Sequence, residues 1–408
     1  MKLKKFVKQM IGALCLFGMA LTACGNVGYG EYTEAALILE DIDYLTYTLE
    51  NNFPLFNAGE RVYGIDMRDL IASAREATEN GEISRGNDLH VVLTDAFGHF
   101  RDDNYANFGL LETLVSANVR FHVAHRQRNQ WTQVLDNPTT RDFYGLIGNS
   151  FERTPAGRNQ GSVIRTESIE EGRIALITPP DVFNNLHIDA HTEEILCFAH
   201  NIVGYEHLII DNRHLAGWEM EWFPQVIIQN LISQPVAYSH NFFSMGGEYS
   251  KLFYDLLPRG EAGFVPVTDE LLAQFPHMHP DDSRLLRYHY HMENTIYPSE
   301  RSVGFDGEIW LLVSSVNIYA ADYVANLVQE TGFATLVGEP TSGGGITSIF
   351  SVPLVLPNTG MVIRFMPLYG VDHLGRNTWE HPTQPDIFNR EGMDALQTVL
   401  TLIEEGNY

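Results

Sequence analysis

Cysteine and positive charge are scarce in this chain of 408 residues. Its three cysteines stand at positions 15, 24 and 197, so a disulfide framework is excluded. Lysine and arginine number 26 against 52 aspartates and glutamates, and the formal net charge is −26. Because such a surface repels phosphate backbones, nucleic-acid binding is disfavoured. The glycine-rich run SGGGITS lacks the lysine of a phosphate-binding loop, and we predict no cofactor.

Long apolar runs are also lacking, apart from one near the amino terminus. The basic stretch MKLKKFVKQ precedes fourteen mostly apolar residues, which are too few for a comfortable transmembrane helix. They end in LTAC, which resembles the bacterial lipobox, where a signal peptidase cuts before a lipidated cysteine. We therefore predict a signal peptide over 1–23, a tether over 24–33 lipidated on Cys24, and an extracytoplasmic protein anchored to a membrane of the cell envelope. An ordinary secretory signal remains the alternative.

The pattern of apolar residues divides the remaining chain into three parts. Helical spacing over 34–104 predicts an α-helical cap, and residues 105–165 read as an irregular connection. From 166 to 408, strand and helix patterns alternate, which predicts a βαβ core. A histidine-rich excursion occupies 255–300. Cys197, inside the apolar EEILCFAHNIV, is predicted to be a buried core residue.

Residues 308–343 carry an ordered set of motifs. The strand pattern EIWLLV runs through SSVNI into Tyr319-Ala320-Ala321-Asp322, then to a helix that ends at Gly332, the run ATLV, and GEPTSG. This order resembles the tail-specific proteases, also called C-terminal processing serine peptidases. LIIDNRHLAGW, LPNTG, EHPTQPD and LTDAFGHF resemble further motifs of the same family.

This resemblance implies an α/β (α+β) fold with a ClpP/crotonase-like βαβ core and an N-terminal helical cap, here without a PDZ domain. It also implies peptide-bond hydrolysis by a serine nucleophile. The expected partners are peptides or protein C-terminal segments, bound by addition to a sheet edge. The lipid anchor would be the only contact with a membrane.

The catalytic residues that the family implies are only partly present. Tyr319 stands where the family has its nucleophilic serine, and Gly344 stands where some members have a lysine base. His99 matches the histidine base of the other branch. The N–H groups of Gly217 and Ala320 are candidate oxyanion donors. Leu215 and Trp218 replace residues of the family motif, and the bulk of Trp218 puts an open oxyanion hole in doubt.

A tyrosine is a poor replacement for the missing serine. An unperturbed phenol has a pKa of about 10, so little phenolate exists at neutral pH. We therefore predict that the ring of Tyr319 fills the pocket and that the protein is a degenerate peptidase that binds peptides. An active serine peptidase remains an alternative, in which Ser314, Ser315 or Ser342 would work with His99.

A metal-binding surface protein is the second alternative. His277, His279, His289 and His291 recur with H-x-H spacing, which can place two imidazoles on one face of a strand. Asp281, Asp282 and Glu293 are close in sequence. No established metal motif is matched, and such clusters are also common in polar surface loops.

Overall fold

The computed structural model describes residues 34–98, 110–114, 119, 130–146, 163–181, 185–215, 219–347 and 350–406. Its helices are α1 (Glu34–Asn52), α2 (Phe56–Tyr63), α3 (Met67–Glu79), α4 (Gly86–Gly98), α5 (Gln130–Leu135), α6 (Pro138–Phe143), α7 (Ile188–Asn201), α8 (Gln229–Leu231, which continues a π-helical turn at Pro224–Ile228), α9 (Glu248–Lys251), α10 (Asp269–Leu272), α11 (Pro280–Ser283), α12 (Ala320–Thr331) and α13 (Ala395–Glu405). Short 3-10 turns are formed by Asn185–His187, Tyr254–Leu256 and Gly260–Gly263. None of the helices in these ranges is long and apolar enough to cross a membrane.

The strands are β1 (Leu111–Thr113), β2 (Arg165–Glu170), β3 (Ile174–Thr178), β4 (His207–Asp211), β5 (Val236–Ser244), β6 (Phe264–Pro266), β7 (Tyr288–Ile296), β8 (Glu308–Val313), β9 (Thr335–Gly338), β10 (Val352–Val355), β11 (Val362–Phe365), β12 (Tyr369–Val371) and β13 (Ile387–Phe388). They form three sheets. The largest has the order β13-β9-β8-β4-β3-β2 and is parallel except for β2. Two antiparallel sheets have the orders β12-β5-β7-β6 and β1-β11-β10.

The parallel sheet is covered by helices on both faces. One face, with Ile209, Trp310 and Leu312, packs against α13. The other face, with Leu208 and Leu311, packs against α7 and α12. Burial on both faces explains why β4 and β8 are continuous apolar runs without alternation. The predicted βαβ core and helical cap are confirmed.

The cap helices α1 to α4 pack on β10, β11 and the segment that contains Tyr319, and together these elements form a second core. The region predicted to be irregular contains β1, α5 and α6 in its described parts. Strand β1 pairs with β11, so this region joins the cap to the core. The domain boundaries drawn from the sequence remain predictions.

Cys197 is not a core residue, and that prediction is wrong. The side chain is exposed on α7, whose buried face is formed by His191, Ile195, Leu196 and Ala199. In an amphipathic helix the face decides burial, and an apolar run by itself does not show which face Cys197 occupies.

An ion-pair network joins the cap to the core. Arg61, in α2, makes a bidentate pair with Glu380, at 2.5 and 2.7 Å, and a further pair with Asp282. The Asp282 side chain is fully buried, and it also accepts a hydrogen bond from the hydroxyl of Tyr369 at 3.1 Å. Burial raises the pKa of Asp282, and the neighbouring guanidinium opposes that rise.

Replacing Arg61 with methionine is expected to lower the free energy of unfolding by about 2–3 kcal/mol. The change leaves the buried Asp282 carboxylate without its cation, which is costly even though Arg61 is itself partly exposed. Arg75→Met is the matched control, since Arg75 pairs only with exposed carboxylates on the cap and should cost under about 1 kcal/mol. Denaturant unfolding measures both; equal losses would contradict the prediction.

Candidate active site

Tyr319 occupies a sharp, strained turn between β8 and α12. Its backbone has φ 53° and ψ −112°, and in the described part of the chain no other residue except glycine has a positive φ. A side chain in this region costs about 1–3 kcal/mol, and such strain is found mainly at functional sites. The turn therefore has the strained strand-turn-helix geometry that is expected of a nucleophile position, and its side chain is a phenol.

Buried hydrogen bonds hold this turn. Asn317 is fully buried; its amide nitrogen donates to the carbonyls of Asn212 at 2.7 Å and Leu215 at 3.1 Å, and its Oδ1 accepts from the Ser314 N–H at 2.9 Å. The backbone N–H of Tyr319 donates to the carbonyl of Gly343 at 3.1 Å. The turn, which follows β8, is thus tied to the segments that follow β4 and β9, the two strands that flank β8 in the sheet.

The ring of Tyr319 lies in the core between the cap and α12. Its exposed fraction is 7%. It meets the Trp379 ring edge to face, with centroids 5.7 Å apart and planes at 85°, and Trp379 in turn contacts Tyr63 of the cap. Such aromatic pairs are stabilising beyond the area that they bury. The phenol is thus packed among aromatic neighbours.

Gly344, at the position of the family lysine, lies against the same rings. A Cβ atom there would be 3.6 Å from Cδ1 of Tyr319 and 3.5 Å from the Trp379 ring, and the φ of Gly344 is +84°. A lysine at this position would therefore be strained in its backbone, and its Cβ atom would contact both rings at van der Waals distance. The glycine and the tyrosine fit each other.

The three serines considered as substitutes all use their hydroxyl hydrogens within the turn region. Ser314 donates to the carbonyl of Arg213 at 2.6 Å, and Ser342 donates to the carbonyl of Ser315 at 2.6 Å. Ser315 donates to the Glu339 carboxylate at 3.1 Å. A nucleophile must offer its hydrogen to a base, and the carbonyl acceptors of Ser314 and Ser342 are not bases. Ser315 donates to a carboxylate and not to the histidine that the alternative requires. This geometry therefore does not favour a rearranged serine that works with His99.

Several predicted site residues lie outside the described residues: the proposed base His99, the oxyanion donor Gly217, its neighbour Trp218, and the lipidation site Cys24. The other oxyanion candidate, Ala320, is the first residue of α12 and is fully buried. Leu215 is also buried, and its side chain belongs to the core between the parallel sheet and the helices α7 and α12.

Asp322 is a site residue whose contacts the sequence did not reveal. It is fully buried in the first turn of α12. Its Oδ1 accepts from the hydroxyls of Thr341 at 2.5 Å and Thr383 at 2.7 Å and from the Thr383 N–H at 3.2 Å, and its Oδ2 accepts from the Gly345 N–H at 2.8 Å. Burial raises its pKa, and these donors oppose the rise.

The carboxylate of Asp322 therefore ties α12 to two loops that carry family motifs, GEPT and EHPTQPD. In the sequence, the signal that could have revealed the contacts of Asp322 was the presence of Thr341 and Thr383 in those motifs. A buried carboxylate with four donors is strongly held, because each donor would otherwise be left unpaired.

The four histidines considered for a metal site do not come together as one. His289 and His291 both bond Oδ1 of Asn241, at 2.9 and 3.0 Å, whereas His279 caps α11 by accepting from the Asp281 N–H. His277 is exposed. Among the residues that the structure describes, no group of three or more His, Cys, Asp or Glu could hold a metal ion. This arrangement gives no support to the metal alternative, because three of the four imidazoles bond an amide oxygen or a helix end.

Comparisons with known proteins agree with this fold. Among solved structures, a peptidase-like protein from Parabacteroides merdae is 13% identical, with a TM-score of 0.51 and coverage of 90% of this chain and 95% of that chain. Mature CPAF, complexed with lactacystin, is 12% identical, with a TM-score of 0.50 and coverage of 91% and 98%. At such identities the likeness shows the fold alone. No curated protein matches the sequence.

The profile of Peptidase family S41 matches residues 174–388, slightly more than half of the chain. The matched range contains the parallel strands β3, β4, β8 and β9, the strained turn at Tyr319 and the loops that bind Asp322. The resemblance to the tail-specific proteases is thereby confirmed. The chain belongs to Peptidase family S41.

Proposed function

We propose that this protein is an exported lipoprotein that binds peptides or protein segments in a peptidase-type cleft without cleaving them. The observation that carries the proposal is the side chain at the nucleophile position. Tyr319 keeps the strained backbone of that position but buries its ring against Trp379 and Gly344. The scaffold is retained, and the reactive group is replaced by a packing residue.

The chemistry of the phenol supports this reading. A phenol with its usual pKa of about 10 needs a nearby cation to form phenolate at neutral pH. The position from which the family lysine would act is Gly344, which supplies none. The ring also occupies space beside the turn that a scissile carbonyl would need. Peptide binding needs neither a nucleophile nor a base, only a cleft and a free strand edge.

The lipid anchor and the extracytoplasmic location rest on the sequence alone. LTAC, ending at Cys24, follows a basic and an apolar stretch, and the first described helix begins ten residues later, at Glu34. Metabolic labelling with palmitate in a bacterial host should label the wild-type chain and leave Cys24→Ser unlabelled. Equal labelling of both would remove the anchor from the proposal.

The test of function uses the chain from Gly25 onward, which contains every described element. We expect this protein to bind members of a mixed peptide library and to show no cleavage by mass spectrometry. The Tyr319→Ser variant is measured beside it, because it restores the family nucleophile and removes the buried ring. That variant should lose about 3 kcal/mol of stability, as large-to-small core changes do.

Tyr323→Ser is the matched control. Tyr323 lies one turn later in α12 and is buried to a similar degree, so its loss should affect stability without affecting cleavage. Cleavage by the parent that disappears in His99→Ala would overturn the proposal. Cleavage by Tyr319→Ser alone would show that one substitution silenced an otherwise intact site.

A further inference from the structure

A cavity of about 520 Å³ opens at the end of the parallel sheet opposite to Tyr319. It lies between the first residues of β8 and β9 and the last turn of α12, beside the chain that leads into β5. Its volume falls in the range of about 300–1,000 Å³ that is typical of ligand sites. The length of β8, roughly 17 Å, separates it from the turn that carries Tyr319.

Acidic side chains line this cavity. Asp386 is held in place, since its Oδ1 accepts from Nε2 of Gln329 at 2.9 Å and its Oδ2 accepts from the Leu336 N–H at 2.8 Å. Glu308 is exposed at the start of β8. Among the described residues that line the cavity, none is Lys, Arg or His. Within this lining, the two carboxylates are not offset by a positive side chain.

The end of α12 adds negative potential to the same place. The helix ends at Thr331, followed by Gly332 in the left-handed conformation, and both residues line the cavity. The carbonyl end of a helix carries partial negative charge, which lysine or arginine in the last turn often offsets. The last turn of α12 has no basic residue.

Apolar surface forms the rest of the wall. Phe305, Ile309 and Phe333 line the cavity. All three are only partly buried, at the edge of the core between the parallel sheet and the helices α7 and α12. An aromatic face beside carboxylates suits a guanidinium on an apolar stem. The stem packs on the rings, the cation lies against the ring face, and the fork of N–H groups pairs with a carboxylate.

We propose that this cavity binds an arginine side chain of a polypeptide partner. The methylene stem packs between Phe305 and Phe333, and the guanidinium meets Glu308 and the carbonyl end of α12. This site is separate from the peptidase-type cleft, and the proposal does not depend on whether the cleft binds or cleaves peptides.

The test measures binding of a fluorescein-labelled pentapeptide with one central arginine between alanines, by fluorescence anisotropy in 0.15 M salt. The chain from Gly25 onward is used. A second peptide replaces the arginine with citrulline, which keeps the shape and removes the charge. Glu308→Gln tests the cavity. Asp306→Asn is the matched control, because Asp306 is exposed two residues away and does not line the cavity.

We expect saturable binding of the arginine peptide and binding at least roughly tenfold weaker of the citrulline peptide. Glu308→Gln should weaken binding roughly fivefold, and Asp306→Asn should change it by less than about twofold. Equal effects of the two substitutions would mean diffuse attraction to an acidic protein and would overturn the proposal. Equal affinity for the citrulline peptide, or no saturation at millimolar concentration, would do the same.

A further arm identifies the source of the cation. Ethylguanidinium should compete only at much higher concentration than the peptide. If it binds as tightly, the cavity serves a small organic cation, and the polypeptide partner is ruled out.

Discussion

Replacing Asp322 with alanine is expected to lower the free energy of unfolding by about 4 kcal/mol or more. The substitution removes the acceptor of four hydrogen bonds at a fully buried position. Each buried donor left without a partner costs about 1–3 kcal/mol, and a loss of this size is exceptional among single substitutions. The loops that contain Thr341 and Thr383 would detach from α12, and the strained turn would lose support.

Denaturant unfolding measures this effect, and two milder variants keep it measurable if the alanine variant does not fold. Asp322→Asn retains one oxygen but presents an amide to donors, so we expect a loss of about 2 kcal/mol. Thr341→Val removes one donor together with its bond and should cost about 1 kcal/mol. A loss below about 1 kcal/mol in Asp322→Ala would show that the hydrogen bonds of Asp322 contribute little to the free energy of unfolding.

Replacing His240 with phenylalanine is expected to stabilise the protein and to reduce its sensitivity to acid. His240 lies in β5 with an exposed fraction of 1%, and neither ring nitrogen has a hydrogen-bond partner. The rings of Tyr238, Phe242 and Tyr323 surround it, with centroids 5.2–6.2 Å away. A phenyl ring suits this environment and removes two unpaired polar atoms, so we expect a gain of about 1–2 kcal/mol at pH 7.

The effect of pH follows from the lowered pKa. Burial lowers the pKa of His240 to about 4, against about 6.5 in an unfolded chain. The unfolded state therefore takes up the proton first as the pH falls. The contribution of neutral His240 to the free energy of unfolding is therefore fully present above pH 6.5. It falls by about 3 kcal/mol between pH 6.5 and pH 4. The difference in the free energy of unfolding between His240→Phe and the wild type should therefore grow by about 3 kcal/mol over this pH range.

Unfolding measured at several pH values between 7 and 4 tests this prediction. His277→Phe is the control for the loss of a histidine, since the His277 side chain is exposed. Some acid sensitivity will remain in His240→Phe, because burial also lowers the pKa of His289 to about 4. Parallel pH profiles of His240→Phe and the wild type would contradict the assignment.

The four central strands of the parallel sheet, β3, β4, β8 and β9, could be predicted from the sequence, whereas β5 and β7 could not. Strand β8 after Glu308 and the middle of β4 are uninterrupted apolar runs because both faces are buried, and that pattern is visible locally. Strands β5 and β7 contain His, Asn, Tyr and Ser, which resemble a polar loop. They are strands because they pair with each other along nine residues and stack their rings across the sheet, and both effects are non-local.

The order of motifs along the chain by itself determined the family, which the match over residues 174–388 confirms, because residues close in sequence are held close in space by local geometry. The same order predicts that Tyr319 stands at the nucleophile position, and that assignment stays a prediction. Tertiary structure alone decided what Tyr319 does in that place. Its packing on Trp379 and Gly344, and the bonds of Asp322 to Thr341 and Thr383, join residues up to 61 positions apart. Such contacts form only when the cap and the loops close over the sheet, and no pattern within one segment encodes them.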